Sequence, residues 1–345
     1  MGGDHGPSEV VPGALDHARS HPEDHLLLVG APEQIRAAAG GDLPGNVEVV
    51  PASQVIEMHE HPALALREKK DSSISVGCDL VKSGRADAIV TAGHTGAAMA
   101  AAVLRIGRLA GVDRPALAVQ MVREGKPFVL LDIGANPDST AENLLQYARM
   151  GAIFAERVVG IPAPRVALLS IGEEKGKGDA RIQRATELLD ASGLRFVGNV
   201  EGKDLVSDHA DVVVTDAVTG NVVIKFFEGL STFIFDLWRA ELRRGIRGKL
   251  AYLLLRPGIG RIRKVFDYET AGGSPLLGVK GAVIITHGRA RRRMVGFACA
   301  VAAETARTKV PGLIADALKE DATKVAAGPE PAQPEAAIEA AGRAT

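Results

Sequence analysis

Two glycine-rich stretches of the chain carry residue types that bind anions. One is Asp132–Asn136, and the other is Ser170–Gly178, which contains Lys175 and Lys177. Each lies at the end of a short apolar run that is typical of a buried parallel strand. Glycines let backbone amides approach a ligand closely, and lysines add positive charge. Since ligands bind beyond the carboxyl ends of parallel strands, the two loops are predicted to converge on one phosphate group.

Three further loops follow predicted strands in the same way. They contain Gly93–Ala98, Asp216–Asn221 and His287-Gly288. For the first of these, close packing of an alanine-rich helix explains the small residues as well as anion binding does. The candidate catalytic residues are Lys175, Lys177, Asn221 and His287, and the candidate phosphate-binding residues are Thr95, Gly134, Asn136, Gly176, Thr219 and Gly220.

The sequence lacks the signatures of several other chemistries. Gly172–Gly178 has neither the spacing nor the following Ser or Thr of a Walker loop, and Gly258–Gly260 lacks the third glycine of a dinucleotide fingerprint. The histidines show no HExxH or paired metal-ligand spacing, and no Gly-x-Ser-x-Gly motif occurs. Cys78 and Cys299 are predicted to be core residues of helices. No metal centre and no covalent intermediate are therefore predicted.

The composition and the cysteine content indicate a soluble, cytosolic protein. Apolar residues make up 46% of the chain, which is enough for a large core, whereas aromatic residues are only 4%, so closely packed helices are expected. The net charge of −1 gives no general preference for nucleic acid or membranes. No apolar run reaches the ~18 residues of a spanning helix, no signal peptide is visible, and two distant cysteines suit a reducing compartment.

A repeated strand–loop–helix pattern predicts a mainly parallel sheet covered by helices on both faces. Residues 1–318 are predicted to form a single α/β domain, and the Ala/Pro/Glu-rich residues 319–345 a disordered tail. The predicted strands are Leu26–Val29, Val47–Val50, Ala88–Val90, Phe128–Ile133, Val166–Ile171, Phe196–Val200, Val212–Thr215 and Ala282–Thr286. The predicted helices are Pro32–Ala39, Pro62–Lys69, a helix capped by Ser73 and ending at Ser83, one from the Gly93 loop to Arg108, Thr140–Val159, Asp179–Ala191, Val222–Arg244 and Arg291–Lys309.

Residues 222–268 differ from the rest of the chain and are predicted to form a protruding helix pair. Between Arg239 and Lys264 there are nine Lys or Arg residues and one acid, Glu241. The apolar tip residues are Leu253, Leu254, Leu255 and Ile259. This pattern allows three interpretations: an apolar face that packs on a partner subunit, a membrane-surface anchor, or a docking site for an acidic protein.

Eight motifs occur in the order found in one bacterial enzyme family. They are Met1-Gly-Gly-Asp4, Lys69-Lys-Asp-Ser-Ser73, Ala92-Gly-His-Thr-Gly96, Asp132-Ile-Gly-Ala-Asn136, Ile171-Gly-Glu-Glu-Lys-Gly-Lys-Gly178, Gly198-Asn-Val-Glu-Gly202, Thr219-Gly-Asn221 and Gly272-Gly-Ser-Pro-Leu-Leu-Gly278. With these motifs the chain closely resembles the PlsX family, the acyl-[acyl-carrier-protein]:phosphate acyltransferases of phospholipid synthesis. Each motif is weak alone, but the ordered set over residues 1 to about 310 is specific.

The resemblance implies a fold, a reaction and partners. The fold is that of isopropylmalate dehydrogenase and phosphotransacetylase, in a homodimer without metal or nicotinamide cofactor. In the implied reaction, inorganic phosphate attacks the thioester of acyl-[acyl-carrier-protein], and the acyl phosphate passes to a membrane glycerol-3-phosphate acyltransferase. Peripheral association with the inner face of the cell membrane is also implied, and it would give the tip a purpose.

The resemblance also suggests roles for the candidate residues. We hypothesise that Asn136, Asn221 and the two lysines hold phosphate, while His287 or a loop amide polarises the thioester carbonyl. A phosphate oxygen is itself a competent nucleophile, so the protein need supply only position and electrostatics.

The chain departs from the family pattern at three places. An apolar first strand, which normally precedes Met1-Gly-Gly-Asp4, is absent from this sequence. His94 stands where family members commonly have Asn, and Ala217-Val218 stands where they have Gly-Phe.

Two rival functions remain open. One is a phosphotransacetylase that uses acyl-CoA, and the other is a non-catalytic membrane scaffold of lipid synthesis. A dehydrogenase of the related fold fits less well, because no aspartate cluster for a metal is evident.

Overall fold

The computed structural model describes residues 2–123, 125–265, 269 and 272–327. The strands are β1 Leu26–Gly30, β2 Val47–Pro51, β3 Ala88–Thr91, β4 Ala116–Arg123, β5 Lys126–Leu131, β6 Val166–Leu169, β7 Phe196–Val200, β8 Val212–Val214, β9 Ser274–Leu277 and β10 Ala282–Ile285. The helices are α1 Pro7–Ser20, α2 Pro32–Ala39, α3 Pro62–Glu68, α4 Ser73–Lys82, α5 Thr95–Ala101, α6 Ala141–Phe154, α7 Ala180–Asp190, α8 Ala217–Leu242, α9 Gly245–Val265, α10 Arg292–Arg307 and α11 Val310–Ala327.

Eight of the strands form one sheet in the order β3-β10-β9-β4-β5-β8-β6-β7, and β1 pairs with β2 separately. Pairs within β5-β8-β6-β7 and between β3 and β10 are parallel, whereas β4 and β9 run antiparallel to their neighbours. Successive residues of β5 lie in opposite apolar layers, with Leu130 on one face of the sheet and Leu131 on the other. Helices cover both faces, so the predicted α/β architecture with a mainly parallel sheet is confirmed.

The two antiparallel strands are where the sequence interpretation and the structure differ most. The glycine-rich motif Gly272–Gly278 lies outside the predicted strands, yet Ser274–Leu277 forms β9. Residues of β9 pair with β10 on one side and with β4 on the other. Gly273 and Gly278 both have positive φ, which turns the chain at each end of this short buried strand.

Helix capping explains two smaller differences. The predicted cap at Ser73 is wrong by one residue, because the Ser72 hydroxyl accepts the backbone N–H of Ser75 at the start of α4. Helix α8 begins at Ala217 rather than at Val222, because the Asp216 side chain caps it.

At the carboxyl-terminal end, α11 continues to Ala327, beyond the predicted start of the tail at residue 319. Residues 328–345 of the predicted tail, and residues 266–268 of the predicted helix pair, lie outside the described residues.

Helix α8 is long and apolar enough to cross a membrane by length and composition, and it is the one such helix among the described residues. Only 6% of its most apolar stretch is buried within the chain. Its first turn is nevertheless fixed to the sheet, because Ala217 and Gly220 are buried beside the β5 loop. A contiguous exposed apolar surface of this kind is typical of an interaction site.

Candidate functional site

Asp132 organises the loop that follows β5. Its carboxylate is fully buried and accepts the backbone N–H groups of Leu117, Gly134, Ala135 and Asn136. Burial raises the pKa of Asp132, and these hydrogen bonds act in the opposite direction. The loop amides that were predicted to cradle phosphate therefore surround a carboxylate of the chain itself.

Asn136 is held by the same network. Its side-chain amide donates to the backbone carbonyl of Pro115 and, at 3.0 Å, to Asp132 Oδ2. These bonds use the amide donors that the hypothesis assigned to phosphate. In this conformation Asn136 orients its own loop.

The start of α8 lies against this loop. The Asp216 carboxylate accepts the backbone N–H of Thr219 at 3.0 Å and its hydroxyl at 2.9 Å. Burial acts to raise the pKa of Asp216, but these bonds and the charge of Arg181 together lower it. Gly220 allows contact with the β5 loop, since a Cβ there would lie 3.0 Å from the Asp132 carbonyl carbon. Among the described residues, none hydrogen-bonds to the Asn221 side chain, so it is available to a ligand.

Arg181, in the first turn of α7, joins the loops after β5, β6 and β8. Its guanidinium donates to Asp216 Oδ2 at 3.1 Å and to the Ser139 carbonyl at 3.3 Å. Its buried Nε has no partner among the described residues. The sequence analysis did not identify Arg181. Its position two residues after Asp179, the N-cap of α7, places it in the first turn of a helix that follows a strand, which could have marked it as a candidate.

The two candidate lysines do not lie at this junction. The Lys175 ammonium pairs with Asp190 Oδ2 at 2.6 Å, and its side chain is 77% exposed. Asp190 ends α7, about 13 Å along the helix from Arg181. Lys177 is exposed and lies over Gly172, while the Gly176 carbonyl accepts the Gln183 amide at 3.0 Å. The loop thus folds back on α7, and the structure does not bring Lys175 to Asn136.

The loops after β3 and β10 form a second group. They are neighbours because Ile285 pairs in parallel with Thr91. His94 caps α5, since its Nδ1 accepts the backbone N–H of Gly96 at 3.1 Å and of Ala97 at 3.4 Å. Nδ1 must therefore be unprotonated, and a neutral ring carries its proton on Nε2. His94 thus caps α5 through Nδ1 and still offers one donor.

His287 lies at the end of β10 and contacts α8. Its Nε2 lies 3.3 Å from Glu228 Oε1, and Arg289 Nη2 donates to Glu228 Oε2 at 2.9 Å. The hydrogen bond from His287, together with the Arg289 charge, lowers the pKa of Glu228 despite partial burial. Asp4 joins this region through its backbone N–H, which donates to the Gly288 carbonyl at 2.7 Å. Sequence reasoning found His287 but missed Glu228, which lies in the middle of a long apolar helix.

Neither cysteine suits nucleophilic catalysis. Burial raises the pKa of Cys78 and of Cys299 to about 12, so both thiols stay protonated. Within residues 2–123, 125–265, 269 and 272–327, no group of three His, Cys, Asp or Glu side chains is arranged to hold a metal ion. What the strand-end loops offer is positioning, positive charge and one exposed imidazole.

Similarity to known proteins places this arrangement in a family. A family model described as "Fatty acid synthesis protein" matches residues 1–312. The chain belongs to this family. It is 46% identical over 306 residues to a phosphate acyltransferase of Desulfitobacterium hafniense, covering 88% of this chain and 91% of that protein. It is 42% identical over 332 residues to the phosphate acyltransferase of Acaryochloris marina, covering 95% and 96%. The resemblance stated from the motifs is confirmed.

Solved structures agree on the fold. A phosphotransacetylase from Streptococcus pyogenes matches with a TM-score of 0.57 at 19% identity, covering 87% of this chain and 92% of that one. EutD phosphotransacetylase from Staphylococcus aureus gives a TM-score of 0.52 at 16% identity, covering 86% and 99%. The expected phosphotransacetylase-type fold is therefore confirmed.

Proposed function

We propose that this protein catalyses transfer of an acyl group from the thioester of acyl-[acyl-carrier-protein] to inorganic phosphate, forming acyl phosphate for phospholipid synthesis. The observation that carries the proposal is the family match over residues 1–312, with relatives that are named phosphate acyltransferases. The chemistry of the site supports it. Phosphate is its own nucleophile, and the pKa of both thiols, about 12, keeps them protonated.

The reaction requires acceptor and donor to meet at the carboxyl ends of the strands. Thr95, at the start of α5, and Asn221, in α8, are the proposed hydrogen-bond donors to phosphate. The Gly134–Asn136 loop and the Thr219-Gly220 turn set the position of α8. In this arrangement these two segments position the phosphate site and do not bind phosphate themselves.

Lys175 and Lys177 contribute positive charge at the rim. Because both side chains are exposed, their effect on phosphate acts through solvent and is screened by salt. Lys175→Ala and Lys177→Ala should each raise the KM for phosphate severalfold at low ionic strength, and the difference should shrink as salt is added. An unchanged KM in both variants would remove the lysines from phosphate binding.

Formation of acyl phosphate is the direct test of the function. The enzyme is incubated with acyl-[acyl-carrier-protein], with and without phosphate, and the product is trapped with hydroxylamine. Hydroxylamine also cleaves thioesters slowly, so the readout is the acyl hydroxamate that requires both enzyme and phosphate, measured above the controls that lack either one. Repeating the assay with acyl-CoA as the donor distinguishes the phosphotransacetylase alternative, which predicts faster turnover with acyl-CoA than with acyl-[acyl-carrier-protein]. Binding to liposomes without any phosphate-dependent loss of thioester would favour the scaffold.

The α8–α9 tip is proposed to hold the enzyme at the membrane surface. Leu253, Leu254 and Leu255 are exposed, with Leu254 at 74%, and Arg256 beside them is exposed too. Ile259 is half-buried and lines an apolar groove between α8 and α9. Leucines inserted among lipids and basic side chains near anionic headgroups both favour such binding, and each basic residue contributes about 1 kcal/mol. There the acyl phosphate would reach a membrane glycerol-3-phosphate acyltransferase.

Vesicle binding tests the tip. The double variant Leu253→Glu with Leu254→Glu should lose binding to anionic vesicles while its turnover in solution stays within about twofold of wild type. Val206→Glu, at an exposed apolar residue outside α8 and α9, is the control and should bind as wild type does. Loss of dimerisation in the tip variant would favour packing on a partner subunit instead.

A homodimer is proposed to cover the apolar stripe of α8. Val218, Val222, Phe226, Phe233 and Leu237 are exposed and lie at helical spacing along one side of the helix. Such a contiguous apolar surface is typical of a protein interface. Phe226→Glu with Phe233→Glu should shift the sedimenting species from dimer to monomer. A wild-type monomer would contradict this assignment.

A further inference from the structure

Glu228 and His287 are in contact, and the proposed phosphate-binding residues give this contact no role. Glu228 lies on α8, about 18 Å along the helix axis from the Asp216 cap. Its side chain is only 18% exposed, and His287, at 46%, covers it from the β10 loop. Arg289 holds the second carboxylate oxygen at 2.9 Å, so the carboxylate is fixed from two sides. A carboxylate held in this way can orient an imidazole.

The contact determines which nitrogen of His287 can act on a substrate. Charge and hydrogen bonds from His287 and Arg289 lower the pKa of Glu228, so its carboxylate is ionised and accepts hydrogen bonds only. His287 Nε2, at 3.3 Å, must therefore be the donor. In a neutral ring the remaining nitrogen, Nδ1, then has a lone pair and no proton. His287 is thus better suited to accept and return a proton than to polarise a carbonyl by donating a hydrogen bond.

We propose that His287 and Glu228 form a proton-transfer dyad, in which Nδ1 of His287 carries a proton from the attacking phosphate to the sulfur of the leaving thiol and Glu228 positions the ring. This inference rests on the proposed transfer of an acyl group from a thioester to phosphate. It names the group that protonates the leaving sulfur, which the reaction requires.

The proposed step balances without any other reactant. An oxygen of the hydrogen phosphate dianion forms a bond to the thioester carbon, and the proton on phosphate passes to His287 Nδ1. The carbon–sulfur bond then breaks, its electron pair stays on sulfur, and the sulfur takes the proton from Nδ1. The products are the acyl phosphate dianion and a free thiol. Glu228 stabilises the imidazolium that exists between the two transfers, as the acid of a catalytic triad does.

Steady-state kinetics of substituted enzymes test the dyad. His287→Gln should lower kcat by at least about 100-fold, which is the usual contribution of a positioned acid–base group. Glu228→Gln, which keeps the size of the side chain and removes its charge, should lower kcat by about 10- to 100-fold. The KM for phosphate should stay within about threefold in both. Asp236→Asn is the matched control on α8, because its exposed carboxylate pairs with Arg239 and with no other described side chain, and kcat should not change.

The double variant Glu228→Gln with His287→Gln distinguishes positioning from a structural role. If Glu228 acts through His287, the double variant should be no slower than His287→Gln alone, within about threefold, because effects of residues that act as a unit do not add. A merely structural Glu228 predicts losses that multiply. Thermal unfolding of each variant shows whether the fold is retained.

Three results would overturn the dyad. They are multiplied losses in the double variant, a kcat of Glu228→Gln within twofold of wild type, and an increase in the KM for phosphate with kcat retained, which would make the pair a binding element. These outcomes differ from failure of the proposed function, in which the wild-type enzyme itself forms no acyl hydroxamate beyond that of the phosphate-free control.

Discussion

The contact between Gly220 and the Asp132 loop fixes the direction in which α8 leaves the sheet. A Cβ at Gly220 would lie 3.0 Å from both the Asp132 carbonyl carbon and Thr215 Cγ2, and nearer still to the Asp132 carbonyl oxygen. Carbon atoms prefer about 3.5–4.0 Å, so Gly220→Ala must move the helix start by roughly 0.5–1 Å. Overpacking of this kind costs about 3 kcal/mol, and the better helix propensity of alanine offsets about 1 kcal/mol.

Gly229→Ala is the matched control in the same helix. A Cβ at Gly229 meets nothing within 4 Å, so only the propensity gain of up to about 1 kcal/mol applies. The two variants should therefore differ by about 3 kcal/mol in the free energy of unfolding, measured from urea midpoints at an unchanged m-value. Gly220→Ala should also lose turnover, because α8 carries Glu228 and Asn221. Equal stability of the two variants would refute the argument that this contact sets the helix.

Three other perturbations follow from the same structure. Asp132 Oδ2 accepts two hydrogen bonds from Asn136, and Asp132→Asn puts an NH₂ group, a donor, in its place. The free energy of unfolding, measured in urea, should fall by about 2–4 kcal/mol. Hydrogen bonds from Lys126 and Arg165 lower the pKa of Asp208 to about 2. Since this pKa is lower than in the unfolded chain, the contribution of Asp208 is present above about pH 4 and is lost as the pH falls toward 2. The difference in melting temperature between wild type and Asp208→Asn should therefore shrink below about pH 4, and a constant difference would contradict the assignment. Ser72→Ala removes the α4 cap and should cost about 1 kcal/mol in the same urea titration.

Regular elements with a clear period were predictable from the sequence. The helix Pro32–Ala39 has the predicted bounds, because Pro at the first helical position acts locally. The strand Phe196–Val200 also has the predicted bounds. Strand β9 was not predictable in this way. Its short stretch Ser274–Leu277 becomes a strand because two neighbours, distant in sequence, supply its hydrogen bonds.

The candidate site shows the same division. Sequence reasoning placed His287, Thr95 and Asn221 in loops that follow strands. The structure has His287 just after β10 and Thr95 at the start of α5, whereas Asn221 lies within α8. Sequence reasoning did not identify Arg181 and Glu228, because both lie within helices. Their contacts with the loops depend on how α7 and α8 pack on the sheet, which the sequence does not give. Nor did the sequence reveal that Asp132 would satisfy the loop amides internally, since that depends on the turn that the chain makes after β5.

The central claim is that phosphate attacks the thioester directly, without an acyl group on the enzyme. Intact-protein mass spectrometry after incubation with acyl-[acyl-carrier-protein], first without phosphate and then with it, tests this most directly. We expect the mass of the enzyme to stay unchanged in both stages, and the carrier to lose its acyl group only after phosphate is added. An enzyme heavier by one acyl group in the first stage, discharged when phosphate is added, would contradict the claim.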